Sequence, residues 1–76
     1  MKRTITVITS YGSLEIVNLN RVWVNSFFGY NLMYSDENYE YNCIYCSYDP
    51  AKLSHFRELK TKLLEAYNSG KTIVEL

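Results

Sequence analysis

Along the first half of the chain apolar residues alternate with polar ones, and after residue 50 they recur at a spacing near 3.6. Strands therefore precede a helix. In residues 4–9, Ile5 and Val7 share one face between threonines. In residues 13–19, Leu14 and Ile16 share a face, and Val17 and Leu19 take the other. Ser10-Tyr11-Gly12-Ser13 between these runs is a cluster of turn formers and predicts a hairpin. Asn18-Leu19-Asn20 punctuates the chain again. Residues 21–28 read as a third strand, with Val22 and Val24 opposite Trp23, Asn25 and Phe27. Gly29 marks a bulge or bend, and residues 30–34 continue or restart the strand. After the polar turn Ser35-Asp36-Glu37-Asn38, residues 39–48 read as a fourth strand. Tyr39, Tyr41, Cys43 and Tyr45 fall on one of its faces; Glu40, Asn42, Ile44, Cys46 and Tyr48 fall on the other.

Asp49-Pro50 is a helix-start signal: aspartate caps free N–H groups, and proline is tolerated in the first turn. Leu53, Phe56, Leu59, Leu63, Ala66 and Tyr67 then share one face, with Leu64 at its edge and Lys60 reaching outward from within the apolar arc. Asn68-Ser69-Gly70 stops the helix, Gly70 suiting a left-handed cap. Residues 71–76 form a last strand. The expectation is one α+β domain over residues 1–76, ordered β-β-β-β-α-β. It is a mostly antiparallel single sheet with one helix packed on one face.

Composition narrows the function classes. The chain is 47% hydrophobic, with eight basic and eight acidic residues, so its net charge is zero at pH 7. Zero charge gives no long-range pull toward phosphate backbones or anionic membranes, and weak self-repulsion permits homo-oligomers. Lys2-Arg3 is followed by alternating threonines and β-branched residues and not by a continuous apolar run. The start therefore reads as a strand and not a signal peptide. No apolar run approaches the roughly 20 residues that span a bilayer. Two cysteines are too few for a secreted disulfide scaffold, so a cytoplasmic location is expected.

Cys43-Ile44-Tyr45-Cys46 has the spacing of half a zinc site, but a second ligand pair is missing. Residues three apart on a regular strand also point to opposite faces. His55 could add a third ligand, or serve as a base for Cys46, yet nothing marks an orienting carboxylate or an oxyanion site. No metal, cofactor or enzymatic activity is expected.

Residues 56–74 carry a leucine-bearing helix (Leu59, Leu63), Ala66-Tyr67, Ser69-Gly70-Lys71 and a β-branched strand. This stretch resembles the helix-to-strand passage of the pentameric B subunits of bacterial AB-type toxins and related oligomer-forming small barrels. The resemblance implies oligomerisation. Those proteins are secreted and usually have a further strand beyond the one that ends this chain, and no binding residue is carried over.

The most informative signal is regional. Between Val22 and Ala51 there is no lysine or arginine, while Asp36, Glu37, Glu40 and Asp49 are acidic and six residues are tyrosine. Tyrosine brings a stiff apolar ring with a polar tip and is enriched in interfaces, and nearby carboxylates suit a basic partner. The expected partner-binding set is Tyr34, Asp36, Glu37, Tyr39, Glu40, Tyr41 and Tyr45. The leading reading is a small non-enzymatic module, a phage- or plasmid-type inhibitor or modulator of a host protein. One alternative is a single-stranded nucleic-acid binder stacking bases on Trp23 and tyrosines, disfavoured because its aromatic strands lack a basic groove. Another is an oligomer-forming structural subunit joined through open sheet edges.

Overall fold

The computed structural model describes residues 2–76. Met1, the first residue of the expected domain span, lies outside the described residues. The predicted hairpin forms from β1 (Thr4–Thr9) and β2 (Gly12–Val17), with Thr4 opposite Val17 and Thr9 opposite Gly12. An antiparallel meander follows: β3 (Arg21–Asn25), β4 (Tyr30–Ser35) and β5 (Asn42–Ser47). The helix α1 (Lys52–Asn68) leads to β6 (Ile73–Glu75), which lies parallel beside β1.

The α+β class holds, but the expected single sheet is two three-stranded sheets, ordered β2-β1-β6 and β3-β4-β5. The split has a local cause. Asn18 adopts φ 54°, a left-handed conformation that asparagine tolerates better than most residues, and its N–H returns to the Arg3 carbonyl. The chain thus turns away from the first hairpin, and β3 opens a second sheet. The expected four strands before the helix are five, because Phe28 (φ 53°) and Gly29 (φ 98°) break the third strand into a tight turn.

The two sheets and the helix share one core. Ile5, Val7 and Ile16 from the first sheet, Leu32 and Tyr34 from the second, and Leu63 from α1 are its most deeply buried large side chains. The helix stripe is as expected, with Phe56, Leu59, Leu63 and Ala66 buried, and it packs against β3, β4 and β6. Each large side chain so buried contributes about 1.5–3 kcal/mol gross. Asp49 accepts the Ala51 N–H at 2.9 Å in the turn that leads into the helix, whose cap position Ala51 holds without a side-chain bond. At the other end Gly70 (φ 82°) turns the chain, and the Lys71 N–H closes on the Ala66 carbonyl at 3.0 Å. Among the described residues no helix is long and apolar enough to cross a membrane.

One irregularity decides where the functional candidates point. Leu32 pairs with Tyr45 and Met33 with Cys43, leaving Ile44 without a rung of its own. This β-bulge resets the alternation of β5. Tyr45, expected on the face of Cys43, joins Asn42 and Ile44 on the inner side. Cys46, expected on the opposite face, joins Cys43 outside.

Candidate protein-binding surface

The seven expected partner-binding residues divide into three groups. Tyr34 and Tyr45 are turned inward. Tyr34 sits opposite Val22 in the ladder and is 1% exposed, with its hydroxyl accepting from Asn42 Nδ2 at 2.8 Å. Burial pushes its phenol above the usual 10.0, against the Asn42 hydrogen bond, which pulls it down. Tyr45 is half-buried and stacked on Phe56, the two rings 6.2 Å apart and 10° from parallel. Its hydroxyl receives the Ser10 N–H at 3.0 Å, so it joins the second sheet to the β1–β2 turn. The Tyr34 ring is closed to a partner, and the Tyr45 ring is half-covered by the core. The inward side of β4 claims Tyr34, and the bulge claims Tyr45.

Asp36 is a structural residue. Its Oδ1 accepts the N–H groups of Asn38 at 2.8 Å and Tyr39 at 2.9 Å, and its Oδ2 accepts the Val17 N–H at 2.9 Å. The Glu37 N–H adds a bond to the Val17 carbonyl, and the Asn20 N–H bonds the Ser35 carbonyl. One carboxylate thereby folds the β4–β5 loop and clamps it to the end of β2. Asp49 is likewise committed to the turn that leads into the helix.

Glu37, Tyr39, Glu40 and Tyr41 remain, all exposed on the loop that Asp36 organises. Tyr39 is 52% exposed and Tyr41 67%. Glu37 pairs with Lys2 at 3.0 Å, and its Oε1 meets Asn18. Tyr41 meets Trp23 edge-on with ring centroids 6.0 Å apart, and the Arg21 guanidinium lies 4.1 Å from the Trp23 ring. Arg21, Asp36, Glu37, Tyr39, Glu40 and Tyr41 all line one shallow depression. The loop therefore presents two phenol rings and two carboxylates on a rigid base, extended along the outer sheet face by Trp23.

A different concavity lies between the β1–β2 turn, β5 and the first turns of α1, lined among others by Tyr11, Tyr45, Cys46, Lys52, His55 and Phe56. His55 makes no hydrogen bond to Cys46 or to a carboxylate among the described residues; its ring lies 6.4 Å from that of Phe56. No group of three His, Cys, Asp or Glu side chains converges among the described residues. Both cysteines are free and exposed. The Cys43 thiol is raised above its usual 9.0, first by partial burial of the sulfur and second by the neighbouring charge of Cys46.

Sequence reasoning missed an exposed aromatic corner at the opposite end of the meander. Phe27 and Phe28 occupy the β3–β4 turn with centroids 4.5 Å apart, Phe28 being 81% exposed, and Tyr48 is equally open beside Gly29. The signal was Gly29: a strand that ends in a glycine turn exposes the residues just before it. No family model matches the chain, and no curated protein or solved structure shows a significant similarity to it.

Proposed function

We propose that the chain is a non-enzymatic module that docks a protein with a basic surface through the β4–β5 loop. Glu37, Tyr39, Glu40 and Tyr41 form the contact, and Trp23 extends it. The observation that carries this reading is the Asp36 clamp, which holds two exposed tyrosines and two carboxylates on a preformed loop. Preorganisation lowers the ordering cost of binding, and rigid tyrosines supply area at little loss of rotamer freedom. The carboxylates suit a cationic partner and suppress wrong ones. In this role the protein acts as a modulator or inhibitor of a larger host protein, of the kind phages and plasmids encode. Two free exposed thiols suit a reducing compartment, which supports a cytoplasmic setting.

The test is affinity recovery from a cell lysate on the immobilised full chain, comparing wild type with Glu37→Lys/Glu40→Lys and leaving Asp36 intact. The expected result is a basic protein retained by wild type, released by salt, and lost from the double variant while its far-UV spectrum is unchanged. Equal recovery by a folded double variant would refute the reading.

A further inference from the structure

Every sulfur atom of the described residues lies on one side of one sheet. Met33 faces outward from the centre of β4, directly opposite Cys43 of β5, while Cys46 sits opposite Asn31, two residues along the same face. The bulge at Ile44 produces this arrangement; a regular strand would send Cys46 into the core. Directly opposed Cβ atoms in an antiparallel ladder lie about 4.5–5.5 Å apart and diagonal neighbours about 7–8 Å, so both thiols come within reach of the Met33 thioether. The Cys43 sulfur leans toward Cys46. It lies 3.1 Å from the Tyr45 carbonyl oxygen and 4.0 Å from Oδ1 of Asn31, the residue that Cys46 opposes. Both cysteines are exposed and Met33 is half-buried, so an ion in solution meets all three.

We propose that Met33, Cys43 and Cys46 form a binding site for a soft monovalent metal ion of the copper(I) or silver(I) class, held by two thiolates and one thioether. Ligand softness selects the ion, since thiolate and thioether donors favour copper(I) over hard cations. Zinc prefers four tetrahedral ligands, and no third His, Cys, Asp or Glu converges on the pair among the described residues. A direct disulfide suits the geometry less well. Two ladder rungs separate the cysteines by about 7 Å along the strand, at the outer limit of the Cα separations a disulfide spans. A bridging ion lengthens the sulfur-to-sulfur path and relieves that constraint. Loading exchanges two thiol protons, released to solvent, for one ion, whose oxidation state does not change.

The experiment is anaerobic titration of the reduced full chain with copper(I) held by a competing chromophoric chelator, repeated with silver(I). One ion per chain is expected for each metal. Cys43→Ser and Cys46→Ser should each lose the one-to-one complex. Met33→Leu should keep the stoichiometry and weaken capture by at least about tenfold, since loss of even an outer-shell partner costs a metal site about 10–100-fold. Wild type itself provides a readout that needs no variant: the bound ion should protect both cysteines from iodoacetamide, as read by mass spectrometry. The proposal is overturned by any of six results. These are no uptake or two ions per chain, a single-cysteine variant that binds as wild type, undiminished capture by Met33→Leu, unprotected alkylation, or displacement of copper(I) by equimolar zinc.

Discussion

Replacing Asp36 by alanine removes the acceptor of three backbone N–H groups, those of Val17, Asn38 and Tyr39. Hydrogen bonds to a charged acceptor contribute about 1.5–3 kcal/mol each when their loss leaves a donor unpaired. The Asn38 and Tyr39 donors lie in an exposed turn, where water takes over much of the carboxylate's role, whereas the Val17 donor is partly buried. The Val17 bond therefore retains most of its worth and the other two a fraction, for a total loss of about 2–4 kcal/mol. Asp36→Asn keeps one acceptor oxygen and should cost about half as much. In a domain of this size each kcal/mol shifts Tm by about 4–8 °C, so the alanine variant should melt roughly 10–25 °C lower. Urea denaturation with an unchanged slope is the assay, supported by hydrogen exchange at the Val17 amide, which should lose protection. An alanine variant within about 0.5 kcal/mol of wild type, the ordinary range of surface substitutions, would show that this carboxylate does not clamp the two sheets together.

Gly29→Ala should destabilise by about 1–3 kcal/mol in the same urea assay. Its φ is 98°, and an added Cβ would stand 3.0 Å from the Ser47 carbonyl oxygen and 3.1 Å from the Tyr48 ring. Leu63→Ala, at a fully buried helix position, should cost about 2–5 kcal/mol, unlike its exposed neighbour Lys62→Ala, which should be near neutral. Tyr34 makes stability fall at high pH. Its folded phenol titrates above the usual 10.0, so its contribution is complete below that pH and is lost as pH rises through the raised value. Tyr34→Phe should remove this part of the alkaline dependence, measured as urea stability between neutral pH and pH 11; an unaltered alkaline slope would contradict it.

Much of the architecture was legible because it rests on local periodicity. The β1–β2 hairpin, the inward face of β3, the apolar stripe of α1 and the Gly70 helix end follow from residue spacing and turn chemistry. The division into two sheets was not legible, because it depends on one asparagine adopting a left-handed conformation, which its sequence context allows without requiring. The bulge at Ile44 was equally hidden. It inserts one residue into a tyrosine- and cysteine-rich strand whose two faces carry similar side chains, so a slip of register left no trace in the hydrophobic pattern. That slip accounts for both the inward Tyr45 and the outward Cys46. Asp36 was singled out for its charge, whereas its actual partners are backbone N–H groups from a distant strand and its own turn. Tyr39, Glu40 and Tyr41 are all exposed, but on a loop: the expected strand from residue 39, with Glu40 on the face opposite the two tyrosines, begins only at Asn42.

Two exposed aromatic groups occupy opposite ends of the meander, Tyr39 with Tyr41 at one and Phe27 with Tyr48 at the other. The decisive measurement compares Tyr39→Ala/Tyr41→Ala with Phe27→Ala/Tyr48→Ala, both verified as folded, for the amount of basic partner each recovers from lysate relative to wild type. A protein that works through the β4–β5 loop loses its partner in the first variant and keeps it in the second. Full recovery by the first variant, or loss only in the second, would place the working surface elsewhere and contradict the account.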